Sequence, residues 1–230
     1  MSIHKWLVGL AGVVLVFGGA PVAVASLIAN GGFETPPVTN GWYLDFGYGQ
    51  NLGGWTVVGS HVALVPSNYA ETSNGVSQFN AAEGFNSLDL TGTGNIELGS
   101  GVQQTIPTVE GTAYSISFDV GRVTGAPGVY PTPAIVDLSI NGGPRVSFTN
   151  NISTPGMINW QEFSTSFIAT GSSTTITFYN GTLYTNYAGL DDVRVTPASE
   201  GAVPEPSTLV LWSGLGALGL VMAWRRRKSA

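Results

Sequence analysis

Carboxylate side chains lie close to both ends of the central part of the chain. Glu34 ends an early apolar stretch, LIANGGFE, and Asp191 and Asp192 lie in a late one, GLDDVRV. Hard oxygen donors of this kind, together with backbone carbonyls, are the ligands that Ca²⁺ takes in proteins. If the first and last strands are neighbours in the fold, the three carboxylates can converge on a calcium site. The alternative is that Glu34 and Asp191 cap turns or pair with Arg194.

Aromatic and polar side chains are concentrated in three turn-rich stretches. Exposed rings can stack on a pyranose while nearby polar groups hydrogen-bond its hydroxyls. The candidates for such a surface are Trp42, Tyr43, Tyr48, Asp45 and Gln50 in residues 40–51, Arg122 and Tyr130 in residues 121–133, and Tyr184 and Asn186 in residues 180–187. Because neighbours on an extended chain point in opposite directions, one of Trp42 and Tyr43 is expected to pack inside the protein. Trp55 and Trp160 lie within strand patterns and are expected in the core.

Residues suited to catalysis are few. Beyond the first 25 residues the chain has one histidine, His61, and no cysteine, so a Ser-His-Asp triad would depend on His61 alone and thiol catalysis is excluded. No G-x-S-x-G motif is present. A glycosidase needs two carboxylates at a defined separation, and among fourteen acids a close pair is expected by chance. The sequence therefore predicts a protein that is not an enzyme.

Charge is sparse and unevenly distributed. Residues 26–206 contain three arginines, no lysine and all fourteen carboxylates, which gives this segment a net charge of −11. It lacks the basic surface that a duplex nucleic-acid binder needs, so nucleic acid is not expected as a partner. Charged residues make up 10% of the chain against a usual value of about 25%, and a β-rich exported protein fits this composition.

The segment from Leu27 to Thr196 consists of short β-like stretches separated by Gly, Asn and Pro turns. The clearest stretch is AYSISFDVG at 113–121, where apolar and polar residues alternate as in a strand with one buried face. Similar stretches are residues 134–140, 160–169, 173–179 and 190–195. No sustained helical period is present. About ten short strands predict an all-β fold, a two-sheet β-sandwich of the jelly-roll type.

The N-terminus has the pattern of a secretory signal peptide. Residues 1–5 carry one lysine, an apolar stretch follows, and Ala23 and Ala25 form the A-x-A pattern of a signal peptidase site. Cleavage by signal peptidase before Ser26 is therefore expected, and it would release a protein exported across the inner membrane. A retained transmembrane helix is the alternative.

The C-terminus combines three elements in a specific order. A Val203-Pro204-Glu205-Pro206 motif precedes 17 uncharged residues, 208–224, and the cations Arg225, Arg226, Arg227 and Lys228 follow. Seventeen helical residues span about 25 Å, close to the lower limit for crossing a bilayer, and the basic cluster would stop transfer and stay cytoplasmic. This order resembles the PEP-CTERM sorting signal. The resemblance implies an envelope protein of a Gram-negative bacterium that a membrane-embedded exosortase cuts near the motif; an ordinary tail anchor is the alternative.

Five stretches of the central part resemble the DUF642 and galactose-binding-like domain group. They are residues 27–36 (LIANGGFETP), 53–65, 87–121, 159–181 and 187–195 (YAGLDDVRV). The resemblance implies a β-sandwich that binds polysaccharide and has no catalytic activity. It also implies a structural calcium held by Glu34 and Asp192, with Asp191 as the alternative aspartate. The chain has one such domain and no cysteine, unlike the plant two-domain arrangement.

These patterns divide the chain into a signal peptide (1–25), a sandwich domain (26–196), a linker with the sorting motif (197–206), a transmembrane helix (207–224) and a basic tail (225–230). The predicted function is that of an exported, non-enzymatic carbohydrate-binding protein of the envelope or extracellular matrix. A structural or adhesive matrix protein that acts by protein contacts is the alternative, and a hydrolase is a third possibility.

Overall fold

The computed structural model describes residues 25–76, 78–92, 99–127, 129–182 and 187–198. The predicted signal peptide up to residue 24, the sorting motif, the C-terminal apolar segment, the basic tail and Tyr184 lie outside the described residues. In the part of the chain that the structure describes, no helix is long and apolar enough to cross a membrane.

Two antiparallel sheets of six strands form a sandwich. The strands are β1 (Leu44–Gly47), β2 (Asn51–Leu52), β3 (Trp55–Val58), β4 (His61–Pro66), β5 (Asn86–Asp89), β6 (Gly101–Pro107), β7 (Ala113–Val123), β8 (Ala134–Ile140), β9 (Val146–Asn150), β10 (Ile158–Ile168), β11 (Ser173–Asn180) and β12 (Gly189–Pro197), and a 3-10 turn lies at Thr72–Asn74. The strand order is β1-β4-β5-β12-β7-β10 in the first sheet and β2-β3-β6-β11-β8-β9 in the second. The predicted all-β, jelly-roll-like sandwich is confirmed.

Alternating side chains of the long strands form the core between the sheets. On β7, Tyr114, Ile116, Phe118 and Val120 are buried, as the alternation in the sequence predicts. The Phe118 ring lies 4.8 Å from the ring of Phe178 on the second sheet, so the two sheets interlock through aromatic contacts. Trp55 is fully buried in this core.

The opening segment of the domain lies beside its closing strand. The Leu27 N–H donates to the Val195 carbonyl at 2.8 Å, and the Ser26 hydroxyl oxygen accepts from the Val195 N–H at 3.1 Å. The Gln104 side chain exchanges two hydrogen bonds with the backbone of Ala29, which ties the segment to the second sheet. The two ends of the sandwich are therefore neighbours, as the calcium hypothesis required.

A second apolar cluster covers the outer face of the first sheet, and it is called the outer cluster here. Its buried members are Ala63, Val65, Tyr69, Val76, Phe79, Val123, Ile158 and Tyr187, with Tyr43, Tyr130 and Trp160 packed against them. The segment between β4 and β5 supplies Tyr69, Val76 and Phe79, so this loop folds back over the sheet. Strand β4 is consequently buried on both faces over most of its length.

Trp160 packs in the outer cluster and not between the sheets, which corrects the expectation for this residue. Its indole N–H donates to the Asn80 carbonyl at 2.8 Å. The ring lies over two glycines: a Cβ at Gly121 would come within 2.6 Å of it, and a Cβ at Gly189 within 2.8 Å. Absence of a side chain at these positions lets the ring lie close to the sheet.

Replacing Gly121 with Ala should therefore destabilise the fold. The added methyl group would push Trp160 off the sheet, and we expect the free energy of unfolding to fall by about 1–3 kcal/mol in chemical denaturation. Gly171→Ala is the matched control, because a Cβ there meets nothing within 4 Å, and it should stay within about 0.5 kcal/mol of wild type. In a Trp160→Ala background the effect of Gly121→Ala should shrink; an undiminished loss would contradict this packing.

Candidate functional site

Three aromatic rings form a platform at the edge of the first sheet, just before β1. The Trp42 ring lies 5.9 Å from the Tyr69 ring and 6.3 Å from the Tyr43 ring, and the Tyr43 and Tyr69 rings meet edge to face at 5.4 Å. Tyr69 is buried in the outer cluster and Tyr43 is half-buried, whereas Trp42 is 62% exposed. We call Trp42, Tyr43 and Tyr69 the aromatic platform. The Trp42 ring of this platform faces solvent, whereas the Tyr69 ring is fixed in the outer cluster.

A tight turn positions Trp42. The Trp42 N–H donates to the Asn40 side-chain oxygen at 3.1 Å, and Gly41 between them has a φ of +75°, a conformation that glycine adopts without strain. The turn leads directly into β1, and the Tyr43 side chain packs against the outer cluster. The expectation that one of these two aromatics packs inside agrees with the half-buried Tyr43.

Glu71 connects the platform to the loop that contains Tyr130. The Tyr69 hydroxyl donates to Oε1 of Glu71 at 2.8 Å, and the Tyr130 hydroxyl donates to Oε2, which also accepts from the Asn74 amide at 3.1 Å. Burial, and then the hydrogen bond to the Glu71 carboxylate, raises the pKa of both phenols well above the ordinary value. Both tyrosines therefore stay protonated and serve as donors to Glu71. We call Tyr69, Glu71 and Tyr130 the Glu71 brace.

Asp89 is the last residue of β5, and the negative charge of Glu71 acts on its carboxyl. Its Oδ1 atom accepts from the Thr91 N–H at 2.9 Å, the Thr91 hydroxyl at 2.8 Å and the Ala188 N–H at 3.3 Å. The carboxyl group of Asp89 is buried, whereas the residue as a whole is half-buried. Burial raises the pKa of Asp89 to about 7, and the negative charge of Glu71 adds to the increase, while the bonds from Thr91 and Ala188 oppose it.

The remaining predicted sugar-contacting residues are dispersed. Tyr48 is 75% exposed, but it lies beyond the opposite end of β1 from Trp42, a strand of four residues or about 13 Å. Arg122 donates to the Asn151 carbonyl at the end of the sandwich. Tyr130 belongs to the brace and is half-buried, so its ring is not an exposed stacking surface. The structure thus brings together Trp42, Tyr43 and Tyr130, and leaves Tyr48 and Arg122 apart from them.

The three acids predicted to bind calcium lie near one another but contact the protein itself. Asp191 Oδ2 accepts from the N–H groups of Ala82 (2.8 Å) and Glu83 (3.1 Å). Glu34 Oε1 accepts from the N–H groups of Phe85 (2.7 Å) and Asn86 (2.9 Å). Both carboxylates therefore hold residues 82–86 against the terminal strands.

Asp192 forms an ion pair with Arg194 at 2.7 Å. Across the described ranges, no group of three or more His, Cys, Asp or Glu side chains is arranged so that it could hold a metal ion. The contacts of Glu34 and Asp191 correspond to the alternative in which these two acids cap turns, while the partner of Arg194 is Asp192. Calcium binding at these residues stays a prediction.

Sequence reasoning missed Tyr69, Glu71 and Asp89. Tyr69 and Glu71 lie in SNYAETSNG, a polar stretch with the composition of an exposed loop, and the Tyr-x-Glu spacing was the one local signal that they share a side. Asp89 stands between Leu88 and Leu90, and this alternation indicates that it points away from the sandwich core. No local pattern indicates that a loop covers that outer face.

Asp89 should make stability depend on pH. Because its pKa is raised in the folded state, the folded protein binds this proton more tightly than the unfolded chain, and stability should fall as pH rises from about 4 to about 7. The contribution is on the order of 2 to 4 kcal/mol. Asp89→Asn keeps an oxygen that can accept from Thr91 and Ala188, so in denaturation series across this range it should lose less stability with rising pH than wild type. The exposed acid Glu110, changed to Gln, is the control; equal slopes in all three proteins would contradict the assignment.

Comparison with known proteins shows which family the chain matches. Residues 26–195 match the family described as Protein of unknown function (DUF642), and residues 202–228 match the PEP-CTERM protein-sorting motif, which confirms both resemblances predicted from the sequence. No curated protein is a significant match.

Similar solved structures include the CBM22-1 xylan-binding domain from Paenibacillus barcinonensis Xyn10C, which is 19% identical with a TM-score of 0.43, over 77% of this chain and 97% of that chain. Another is TmCBM61 in complex with β-1,4-galactotriose, 15% identical with a TM-score of 0.40, over 75% of this chain and 99% of that chain. Likenesses this distant carry no argument about ligands. The family match, in contrast, runs from the opening segment to the closing strand of the sandwich, and the chain therefore belongs to the DUF642 family.

Proposed function

We propose that the protein is an exported, non-enzymatic carbohydrate-binding protein of the envelope or extracellular matrix, and that the aromatic platform is where it binds polysaccharide. One observation supports this most directly: Trp42 leaves 62% of its surface in water although it is held at its edge by Tyr43 and Tyr69. An indole that is fixed in place before a ligand arrives loses little conformational entropy when a sugar ring stacks on it.

The surroundings of Trp42 suit a sugar better than a purely apolar ligand. Apolar faces of a pyranose can cover the indole, while hydroxyls at the rim of the ring need polar partners close by. The Glu71 brace shares Tyr69 with the platform, and the Asn68 amide lies beside Gly41, the residue before Trp42. These are the polar groups from which the platform would supply hydrogen bonds to a sugar.

Export and sorting are supported by the two ends of the chain. The PEP-CTERM motif at residues 202–228 is a protein-sorting signal, which points to export through an exosortase and to a location at the cell surface or outside the cell. The signal-peptide pattern of residues 1–25 agrees with this route. A Gram-negative envelope or its surrounding matrix is the proposed destination.

Trp42→Ala should weaken polysaccharide binding. We expect at least a tenfold loss of affinity in pull-down or calorimetric titration of the full chain against a panel of soluble polysaccharides, because stacking on an aromatic ring is worth about 1.4 kcal/mol or more. Tyr48→Ala is the matched control: it removes an even more exposed aromatic, at the other end of β1, and should leave binding unchanged. Both variants should melt like wild type, since neither ring lies in the core.

The outcome also separates the proposal from its alternative. A protein that binds no polysaccharide, with or without calcium, would be a structural or adhesive matrix protein acting by protein contacts. Loss of binding in Tyr48→Ala, with Trp42→Ala unaffected, would place the site elsewhere. Release of reducing sugars on incubation would show a hydrolase.

Processing should remove the C-terminal segment. We expect the intact mass of the protein isolated from the cell surface to lack the residues that follow the Val203–Pro206 motif, because the PEP-CTERM match implies cutting by an exosortase near this motif. Glu205→Ala should leave the segment attached. A wild-type protein that still ends at Ala230 would indicate an ordinary tail anchor.

A further inference from the structure

Among the strands that the structure describes, β10 is the only long one at the edge of a sheet. The strands at the four sheet edges are β1, β2, β9 and β10. The first three contain two to five residues, whereas β10 contains eleven and pairs with β7 along its whole length. An edge strand leaves a row of backbone N–H and C=O groups unpaired, and proteins commonly keep edge strands short for this reason. The edge at β10 lacks that protection.

The other devices that keep edge strands apart are also missing from β10. Its sequence, INWQEFSTSFI, has no lysine or proline and a single charge, Glu162, and its ladder with β7 has no bulge. Only the start of the strand is covered, where the Asn150 amide donates to the Asn159 carbonyl at 2.9 Å and Trp160 packs in the outer cluster. In the described part of the chain, no hydrogen bond outside the β7 ladder reaches the backbone of residues 162–168. We call residues 162–168 the free part of β10.

The free part of β10 contains a palindrome. Its sequence reads FSTSF around a centre at Thr165. If two antiparallel copies pair around a two-fold axis at Thr165, Phe163 of each copy lies opposite Phe167 of the other. In the same register Ser164 lies opposite Ser166. Every residue of the palindrome thus faces one of its own kind, and aromatic pairs and Thr–Thr pairs are among the cross-strand contacts that stabilise antiparallel strands.

Apolar side chains of the free part are incompletely covered. The Phe163 and Phe167 rings stack on rings of β7 at 6.3 Å and 5.5 Å, so both point between the sheets. Both remain half-buried, and Ile168 on the other face is 66% exposed. A strand added beside β10 would remove part of this apolar surface from water and would also pair the outward backbone groups.

Glu162 favours the register centred on Thr165. A pair of strands centred on Glu162 itself would set two carboxylates directly opposite each other, which is destabilising. With the axis at Thr165, Glu162 lies opposite Ile168, and the two Glu162 residues are six positions or about 20 Å apart along the strands. This distance exceeds the Debye length of about 8 Å at physiological ionic strength, so salt screens their repulsion.

We propose that β10 is a homodimer interface, in which the free parts of two copies pair antiparallel around a two-fold axis at Thr165. The first sheets of the two copies would then form one sheet of twelve strands. Such a pair consumes both copies of the long edge, so the assembly closes at two molecules and leaves only short edges exposed. The dimer itself does not depend on the proposed function.

The strand order gives the dimer a consequence for binding, and this consequence rests on the proposed function. The aromatic platform lies at the β1 edge of the first sheet, which is the edge opposite to β10. Twelve strands spaced by about 4.8 Å place the two platforms about 50 Å apart along the joined sheet. A dimer with two such sites would bind two segments of polysaccharide and gain avidity.

Cysteine cross-linking at Thr165 tests the pairing. The chain has no cysteine, so a single introduced one can form a disulfide only with another molecule. Directly opposite residues have Cβ atoms about 4.5–5.5 Å apart, close to the span of a disulfide. When cells that export the full chain are mildly oxidised, we expect Thr165→Cys to give a species of twice the mass of the chain.

Two control positions define the register and the background. In the proposed pair, the two copies of Ser164→Cys are diagonal neighbours about 7–8 Å apart, so they should cross-link at least about tenfold more slowly than Thr165→Cys. Thr105→Cys lies exposed on β6 of the second sheet and reports chance collisions, and it should be equally slow.

Charge exchange at the same position tests the interface without a covalent bond. Thr165→Lys and Thr165→Glu each set like charges opposite one another, so each should raise the dissociation constant of the exported protein at least about tenfold in sedimentation equilibrium. A one-to-one mixture sets Lys opposite Glu and should restore the dimer, which also shows that both variants fold. Thr105→Lys is the control and should leave the dissociation constant unchanged.

Wild-type protein that stays monomeric at every concentration overturns the inference. So does a dimer that persists unchanged in both Thr165→Lys and Thr165→Glu, or cross-linking of Thr105→Cys as fast as that of Thr165→Cys. Faster cross-linking of Ser164→Cys overturns the palindromic register, and a cross-linked species that is not twice the mass of the chain overturns the choice of a second copy as partner. None of these outcomes affects the platform, which Trp42→Ala tests separately.

Discussion

Apolar packing on the outer face of the first sheet is the interaction on which the candidate site depends. If the outer face of the first sheet were exposed, Ala63, Val65 and Val123 would contact water. The loop between β4 and β5 folds back over the strands and shields these side chains from solvent. Close approach of Trp160 to Gly121 makes room for that loop. The loop in turn carries Tyr69 and Glu71, so the platform and the brace exist because this second apolar cluster exists.

The scarcity of cations shapes how the acids are accommodated. With three arginines available in the described residues, several carboxylates take their hydrogen bonds from neutral donors. Glu71 uses two phenols, Asp191 and Glu34 use backbone N–H groups, and Asp89 uses the Thr91 hydroxyl and two N–H groups. These bonds only partly offset burial, which is why the pKa of Asp89 remains raised.

Much of the fold could be predicted, but less of the site could be. The stretches at 113–121, 134–140 and 173–179 became β7, β8 and β11 within two residues, because a period of two is a local property of the chain. Trp42 could be identified as a candidate from its turn-rich neighbourhood. Tyr130 could be identified as an aromatic in a loop, but its contact with Glu71 joins residues 59 positions apart, and no local pattern encodes such a distance. The position of Trp160 was likewise not encoded locally, because its strand pattern is compatible with either face of the first sheet.

The sequence by itself determined that the domain is an all-β sandwich, that its first and last segments belong to one family, and that a sorting motif follows it. These properties depend on alternation, composition and short motifs, each of which is complete within a few residues of the chain. Only the tertiary structure decided which aromatics stay exposed and which acids hold loops in place. The reason is that the exposure of a side chain depends on what packs over it, and here the covering residues come from loops far away in the chain.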